Sequence, residues 1–312
     1  MRILFIDSNH SLLHTSLEKQ GFVCDLNYNW SLEEILNNLH IYDGVVLRSK
    51  IKFTKEVIDK GANLKFIARV GAGMENIDSM YAESKGIKCL SAPEGNRVAV
   101  AEQALGMLLS LFNNLCRANM QVREGKWIRE GNRGVELNGK SVGIIGYGNM
   151  GSAFAKRLKG FDIKLLVYDK YKKEFGDEFV KESSMQDLFE NCDVISLHTP
   201  LNEETHYLIN DAFINSFKKN IYIINTARGK SLDTEALVKN IASGKVLGAC
   251  LDVLEYETVS FEQLDIAKLP KTFHDLIASD KVMLSPHIAG WTQESNEKLA
   301  AVLVGKITAL FQ

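Results

Sequence analysis

Little in this 312-residue chain suits an oxidising compartment, a membrane or a nucleic acid. The five cysteines, Cys24, Cys89, Cys116, Cys192 and Cys250, are odd in number, scattered and free of any C-x-x-C pair. That pattern excludes a disulfide scaffold and predicts a reducing compartment, the cytoplasm. A formal net charge of −2 leaves no electrostatic footprint for nucleic acid. No segment approaches the ~18 uninterrupted apolar residues of a membrane span. The apolar part of Met1-Arg-Ile-Leu-Phe-Ile-Asp7 is too short for a signal peptide and reads as a first strand. His10 and His14 share a helical spacing, but no carboxylate or cysteine set accompanies them, so no metal is expected. Internal repeats and low-complexity tracts are absent.

What the chain does have is an ordinary globular composition, 46% hydrophobic and 24% charged, at a length that suits two domains. Its most informative stretch is Val142-Gly-Ile-Ile-Gly146-Tyr-Gly148-Asn-Met-Gly151. An apolar strand runs into a turn in which Gly146 and Gly148 let the backbone approach a pyrophosphate, while Gly151 permits close helix packing. Asn149 and Met150 open the helix whose N-terminus would receive the phosphates. A second strand, Lys164-Leu-Leu-Val-Tyr-Asp169, ends on a carboxylate 18 residues beyond Gly151. At that spacing Asp169 is expected to accept hydrogen bonds from an adenosine ribose and to repel a 2′-phosphate, which favours NAD over NADP. Lys170, Lys172 and Lys173 soften that exclusion.

The fingerprint sits mid-chain because an α/β pattern already precedes it. Strands are predicted at Ile3 to Ile6, Val45 to Leu47, Phe66 to Arg69 and Ile87 to Leu90, with helices at Leu12 to Lys19, Thr54 to Asp59 and Asn76 to Ser84. Ala92-Pro-Glu-Gly-Asn96 reads as a hinge. A single long helix is predicted from Val98 to Val122, with a polar end and Trp127 beyond it suggesting a surface that meets another subunit. After Gly151 come strands at Val194 to Leu197, Ile221 to Asn225, Val246 to Leu251 and Val282 to Leu284. Helices are predicted at Met185 to Glu190, Asp211 to Ser216 and Asp233 to Ser243. Together with the fingerprint they predict a six-strand dinucleotide-binding domain. Short helices are expected around Glu262 to Lys268 and Phe273 to Ala278. A last amphipathic helix, Gln293 to Phe311, is expected to return to the first domain.

Ligands of an open parallel sheet meet residues at the carboxyl ends of its strands. Arg228, Asp252, Glu257 and His287 all follow such ends. Histidine has the pKa for shuttling a hydroxyl proton during hydride transfer, and a carboxylate beside it orients the ring and favours its protonated form. A guanidinium can hold a substrate carboxylate through two parallel hydrogen bonds.

The order of motifs resembles the D-isomer-specific 2-hydroxyacid dehydrogenase family over nearly the whole chain. The matching pieces are Val70-Gly-Ala-Gly-Met-Glu-Asn-Ile-Asp78, Gly95-Asn-Arg-Val-Ala-Val-Ala-Glu102, the fingerprint, His198-Thr-Pro-Leu201, Asn225-Thr-Ala-Arg-Gly229, Asp252-Val-Leu-Glu-Tyr-Glu257 and Pro286-His-Ile-Ala-Gly290. The resemblance implies two doubly wound parallel-sheet domains: a flavodoxin-like substrate domain over 1–97 and 291–312, and a Rossmann NAD-binding domain over 98–290 inserted into it. It implies that Arg228 binds the substrate carboxylate, that His287 is the general acid/base and that Glu257 holds it. Thr199, Pro200, Ala227, Arg228, Asp252, His287 and Gly290 would line the nicotinamide site, with Asp252 near the carboxamide. Arg48, Ser49, Gly71, Ala72, Gly73 and Asn76 would meet the substrate together with Arg228 and His287. A homodimer through the 98–122 helix is implied too.

Thr258 stands where the family usually has proline, the loop after Glu257 is lengthened, and Ile51 replaces a common threonine. Lys50 and Lys52 beside Arg48 suit a phosphorylated acid, which makes 3-phosphoglycerate the leading substrate within a D-2-hydroxy acid/2-keto acid reaction. The chain is expected to lack the regulatory carboxyl-terminal domain of some phosphoglycerate dehydrogenases. A glyoxylate or hydroxypyruvate reductase is the enzymatic alternative, and a non-catalytic NAD(H)-sensing, corepressor-like protein is the alternative of another class.

Overall fold

The computed structural model describes residues 1–257 and 268–311, grouped into two compact units: Met1–Arg97 with Trp291–Gln312, and Val98–Gly290. The helix expected at Glu262 to Lys268 lies, but for Lys268, outside the described residues. No single helix among the described residues is long and apolar enough to cross a membrane.

The first unit is a five-stranded parallel sheet. Its strands are β1 (Arg2–Phe5), β2 (Val23–Leu26), β3 (Gly44–Leu47), β4 (Phe66–Arg69) and β5 (Lys88–Leu90), in the order β2-β1-β3-β4-β5. That is the flavodoxin-like order. Successive side chains of a strand face opposite sides, and both sides here are apolar. Leu4 and Ile6 pack towards α2 (Leu32–Asn38), α3 (Lys55–Lys60) and α4 (Ser79–Ser84) through Ile35, Val57, Ile58 and Ala82. Ile3 and Phe5 pack towards α1 (Leu12–Lys19) and the C-terminal helix (Gln293–Ala309) through Leu13, Leu17, Leu303 and Ile307. β2 and α2 were not foreseen, and α4 begins at Ser79 on an Asp78 cap, later than Asn76.

The stretch expected to be a hinge is instead the first turn of α5 (Pro93–Phe112). Proline is favoured at the first helical position, where its missing N–H costs nothing and its φ is preset. Gly95 lies within that turn because a Cβ there would stand 2.6 Å from the backbone nitrogen of Leu299. Nor does one helix run to Val122. The chain turns at Asn113–Asn114, where Asn114 takes a left-handed φ of 53°, and α6 (Leu115–Arg123) leaves at 60° to α5. Asparagine is among the few residues that visit this conformation routinely.

The second unit holds β6 (Ser141–Ile145), β7 (Lys164–Tyr168), β8 (Val180–Glu182), β9 (Val194–Leu197), β10 (Ile221–Asn225), β11 (Val246–Leu251) and β12 (Val282–Leu284). All pairings are parallel, and the order is β12-β11-β10-β9-β6-β7-β8. The sheet therefore has seven strands, not six. The extra one, β8, is three residues long and occupies the edge beside β7. The helices are α7 (Asn149–Leu158), α8 (Met185–Asn191), α9 (Asp211–Ser216), α10 (Thr234–Ala242) and α11 (Lys271–Ala278). Strand order reverses between β6 and β9, the topological switch point at which such sheets bind ligands.

Candidate active site

The glycine turn leaves β6 directly at that switch point. Gly146 has a φ of +93°, and a Cβ on Gly151 would come within 2.0 Å of the carbonyl oxygen of Gly146, so α7 begins pressed against the turn. Nothing lies within 4 Å of where a Cβ on Gly148 would be. The loop thus presents bare backbone and the head of a ten-residue helix starting at Asn149 and Met150, a cradle suited to a pyrophosphate. Thr199, on the loop after β9, packs its methyl group 3.0 Å from the Gly146 Cβ position, and its buried hydroxyl has no partner among the described residues. Pro200 follows, exposed, and its carbonyl accepts a hydrogen bond from Thr205. An open glycine backbone beside an unpartnered hydroxyl fits a dinucleotide.

Asp169 stands next to this turn. One carboxylate oxygen accepts the N–H of Tyr147 at 2.7 Å, and the other accepts those of Tyr171 and Lys172 at 2.9 and 2.8 Å. Burial alone would raise its pKa. The three backbone donors and the charge of Lys172 outweigh that and hold the carboxyl below its ordinary range. Asp169 is accordingly an anion held by three backbone donors at the β7 end.

The titratable residues gather at the ends of β10, β11 and β12. Asn225 terminates β10 and ties the next turn together, accepting from the Ala227 N–H at 3.1 Å and donating to the Arg228 carbonyl at 2.9 Å. Ala227 is buried, and Arg228 leaves it in an extended conformation with Nη1 on the Ala227 carbonyl. Gly229 follows because a Cβ would meet the carbonyl oxygen of Leu254 at 2.0 Å. The Arg228 turn is therefore packed backbone to backbone against the loop that carries Glu257.

His287 takes a left-handed φ of 55°, unusual for a residue with a Cβ. The conformation is imposed by Asp252, which is 1% exposed. The Asp252 carbonyl accepts the His287 N–H at 2.7 Å, while its carboxylate accepts the N–H groups of Ile288 and Ala289 at 2.9 and 2.8 Å and the Ser285 hydroxyl at 2.6 Å. Asp252 thus organises the whole Ser285–Ala289 loop, a role that the expectation of a carboxamide contact left out. Gly290 ends this loop and the second unit. Glu257 accepts the Leu254 N–H with one oxygen and meets Nδ1 of His287 at 2.7 Å with the other. Arg228, Glu257 and His287 therefore all belong to one sheet end, with Glu257 and His287 in direct contact.

The expected substrate residues form a second constellation, in the first unit. Asp7, at the end of β1, accepts the N–H groups of Arg48, Ser49 and Lys50 on one oxygen. Arg69, at the end of β4, donates to the carbonyls of Arg48 and Gly73, bracing the loop of Gly71, Ala72 and Gly73. Asn76 is 5% exposed, its amide donating to the carbonyls of Arg48 and Ile51 while its Oδ1 is buried without a partner among the described residues. The Arg48 guanidinium stacks 4.2 Å over Trp291; burial lowers its pKa and Asp7 opposes that. Lys50, a supposed phosphate ligand, donates its ammonium to the Tyr28 carbonyl at 2.5 Å. Asp7, Arg69 and Trp291 were missed, although the first two occupy strand ends where such residues are to be sought.

The sequence matches the model of the D-isomer specific 2-hydroxyacid dehydrogenase NAD binding domain over residues 105–289. It is 40% identical to a hydroxypyruvate reductase of Thermotoga maritima over 88% of this chain and 87% of that one. It is 34% identical to a D-3-phosphoglycerate dehydrogenase of Archaeoglobus fulgidus over 93% of this chain, which spans 54% of that longer protein. The fold superposes on an Aquifex aeolicus D-lactate dehydrogenase solved with NAD and lactic acid, with a TM-score of 0.82, 29% identity and coverage of 99% and 95% of the two chains.

Proposed function

From the premise that this chain belongs to the D-isomer-specific 2-hydroxyacid dehydrogenase family and is an NAD-dependent oxidoreductase, we propose that it reduces a small 2-keto acid, hydroxypyruvate foremost, to the D-2-hydroxy acid. The observation that carries this reading is the 2.7 Å pair between Glu257 and Nδ1 of His287 at the β11 and β12 ends. With Nδ1 committed to the carboxylate, Nε2 is the nitrogen that exchanges a proton with substrate. When bound, NADH supplies the hydride to the keto carbon. His287 gives its proton to the keto oxygen as that oxygen gains charge, and Glu257 stabilises the imidazolium beforehand. Arg228 holds the substrate carboxylate through a guanidinium fork and draws electron density from the neighbouring carbonyl. The net change is one hydride and one proton added across C=O. The reverse reaction uses neutral His287 as base.

In this reading the second unit is the NAD domain and the first the substrate domain, with Arg48, Ser49, Gly71 to Gly73 and Asn76 meeting the acid. Thr199, Pro200, Ala227 and Gly290 would hold the nicotinamide half of the cofactor. Hydroxypyruvate takes precedence because the Thermotoga maritima protein so named is 40% identical across nearly its full length, and because Lys50 is already engaged by Tyr28. 3-Phosphohydroxypyruvate is the second reading, favoured by the similarity to D-3-phosphoglycerate dehydrogenase.

The test is NADH oxidation with hydroxypyruvate, 3-phosphohydroxypyruvate, glyoxylate and pyruvate. The highest kcat/KM is expected for hydroxypyruvate. A preference for the phosphorylated acid would replace the substrate reading, and tight NADH binding without turnover of any acid would overturn the catalytic one.

A further inference from the structure

Glu257 is joined to the protein by a short turn. Its N–H donates to the Leu254 carbonyl at 3.2 Å, so Glu255 and Tyr256 form the corners of a tight loop. Neither corner is idle. One oxygen of Glu255 accepts the Tyr207 hydroxyl at 2.5 Å and the other accepts the N–H of Thr234 at 3.2 Å, at the head of α10. Tyr256 packs edge-on against Phe273, with ring centroids 5.6 Å apart. Tyr207 is itself pinned. It has a left-handed φ of 49°, its N–H donates to the Lys230 carbonyl at 2.8 Å, and the next residues form a small parallel bridge, Ile209 to Leu232, beside the Arg228 turn. The His206 ring packs on the Tyr207 ring at 4.2 Å.

We propose that Tyr207 is a positioning residue for the acid/base pair: by holding Glu255 it fixes the Leu254–Glu257 turn, and so keeps the Glu257 carboxylate on Nδ1 of His287. The inference rests on the reading of Glu257 and His287 given above. It identifies a side chain 48 residues upstream of Glu255 as part of the machinery that orients the histidine ring. A turn free to drift would take the Glu257 carboxylate off Nδ1 and leave the ring's orientation and tautomer unfixed. The groups facing Tyr207 are Glu255, Asp233 and Tyr256. Among those bearing on the His287 loop are Glu257 at the ring and Asp252 beneath its backbone. The hydrogen bond to Glu255, then burial, pushes the Tyr207 phenol up to about 12, so it stays a donor throughout the neutral range.

The experiment is a nitrogen-15 NMR measurement of the tautomer of the neutral His287 imidazole, assigned by its loss in a His287→Asn variant, in the wild type, Tyr207→Phe, Glu255→Gln and the double variant. The contact with Glu257 selects the tautomer with the proton on Nδ1, and each folded single variant is expected to reduce its share. The double variant is expected to fall no further than the larger single one, since both substitutions break one link. The kcat for keto-acid reduction should fall with it, while the Kd for NADH stays constant. Should Tyr207→Phe not fold, Glu255→Gln carries the test. An unmoved His287 tautomer ratio in a folded variant, or additive changes in the double, would overturn the proposal. Because the tautomer measurement needs neither substrate nor cofactor, a wild type inactive on every acid would sink the catalytic reading and still leave this one decided.

Discussion

At the scale of single residues, the proposed chemistry rests on His287, whose backbone conformation asparagine also tolerates. His287→Asn therefore removes the imidazole while sparing the loop that Asp252 organises. Loss of a general acid costs about 10²–10⁴-fold in rate. The variant should lose that much kcat for keto-acid reduction and keep its NADH affinity by fluorescence titration; turnover within threefold of wild type would remove His287 from the mechanism. A second histidine is governed by burial. His198, between the glycine turn and Phe154, has its Nδ1 buried without a partner among the described residues and its Nε2 on the Ser196 hydroxyl at 2.8 Å. Burial pushes its pKa down to about 3 from an ordinary 6.5. The unfolded chain then binds a proton between those values that the folded chain does not. Its contribution to stability is complete above about pH 6.5 and is lost towards pH 3, at up to about 1.4 kcal/mol per pH unit. Urea melts from pH 7 to 4 should show a shallower acid loss in His198→Asn than in wild type; equal slopes would mean that His198 titrates normally. Arg228, Glu257 and His287 were legible as candidates because each follows a recognisable strand of a parallel sheet. Asp7, Arg69, Tyr207 and Glu255 were not, because each acts through a hydrogen bond to a partner roughly 20 to 50 residues away in sequence, as Asp7 does to the amides of 48–50.

Among the elements, strands with an apolar run were readable, the edge strand β12 included, and strands without one were not. Phe66–Arg69, Val194–Leu197, Ile221–Asn225, Val246–Leu251 and Val282–Leu284 coincide with their apolar runs. β2 and β8 are edge strands with charged residues among their four and three positions, and so carry no apolar run. α2 did announce itself, through the Ser31 and Glu34 capping box, but at seven residues with one buried side chain its periodicity is slight. α5 shows local sequence overruled by packing. Glycine in a helix costs about 1 kcal/mol relative to alanine, so replacing one ought to stabilise. Gly106 meets nothing within 4 Å of its Cβ position, whereas at Gly95 three backbone atoms of Lys298 and Leu299 lie within 3.0 Å. Overpacking costs about 1–3 kcal/mol, and immovable backbone puts Gly95 at the upper end, above the helical gain. Gly95→Ala should therefore lower Tm, and Gly106→Ala should raise it or leave it unchanged. The same sign at both positions would show that helix propensity, and not the approach to the C-terminal helix, governs this segment.

For the whole molecule, the break at Asn114 bears on assembly. α6 has no buried residue, although Leu115, Met120 and Val122 are each more than half exposed. Trp127, 81% exposed, and Ile128 follow it. The segment is nonetheless held in place: Arg117 reaches Asn132, the Gly131 carbonyl and Asp280, and Asn132 donates to Gln121. A helix that is ordered by polar ties while presenting apolar side chains outward is poorly explained as a solvated surface, because such patches mark interaction sites. A homodimer through this face is the arrangement we infer, extending from the single helix first read there to the α6 face and Trp127. A stable dimer needs roughly 800 Å² from each partner, with aromatic anchors near the centre carrying most of the affinity. Trp127 is the natural anchor. Wild type should sediment at twice the chain mass at micromolar concentration, and Met120→Glu combined with Trp127→Glu should sediment as a monomer with an unchanged far-UV spectrum. A wild type that is monomeric at 100 μM, or a doubly charged variant that still dimerises, would move the interface away from α6.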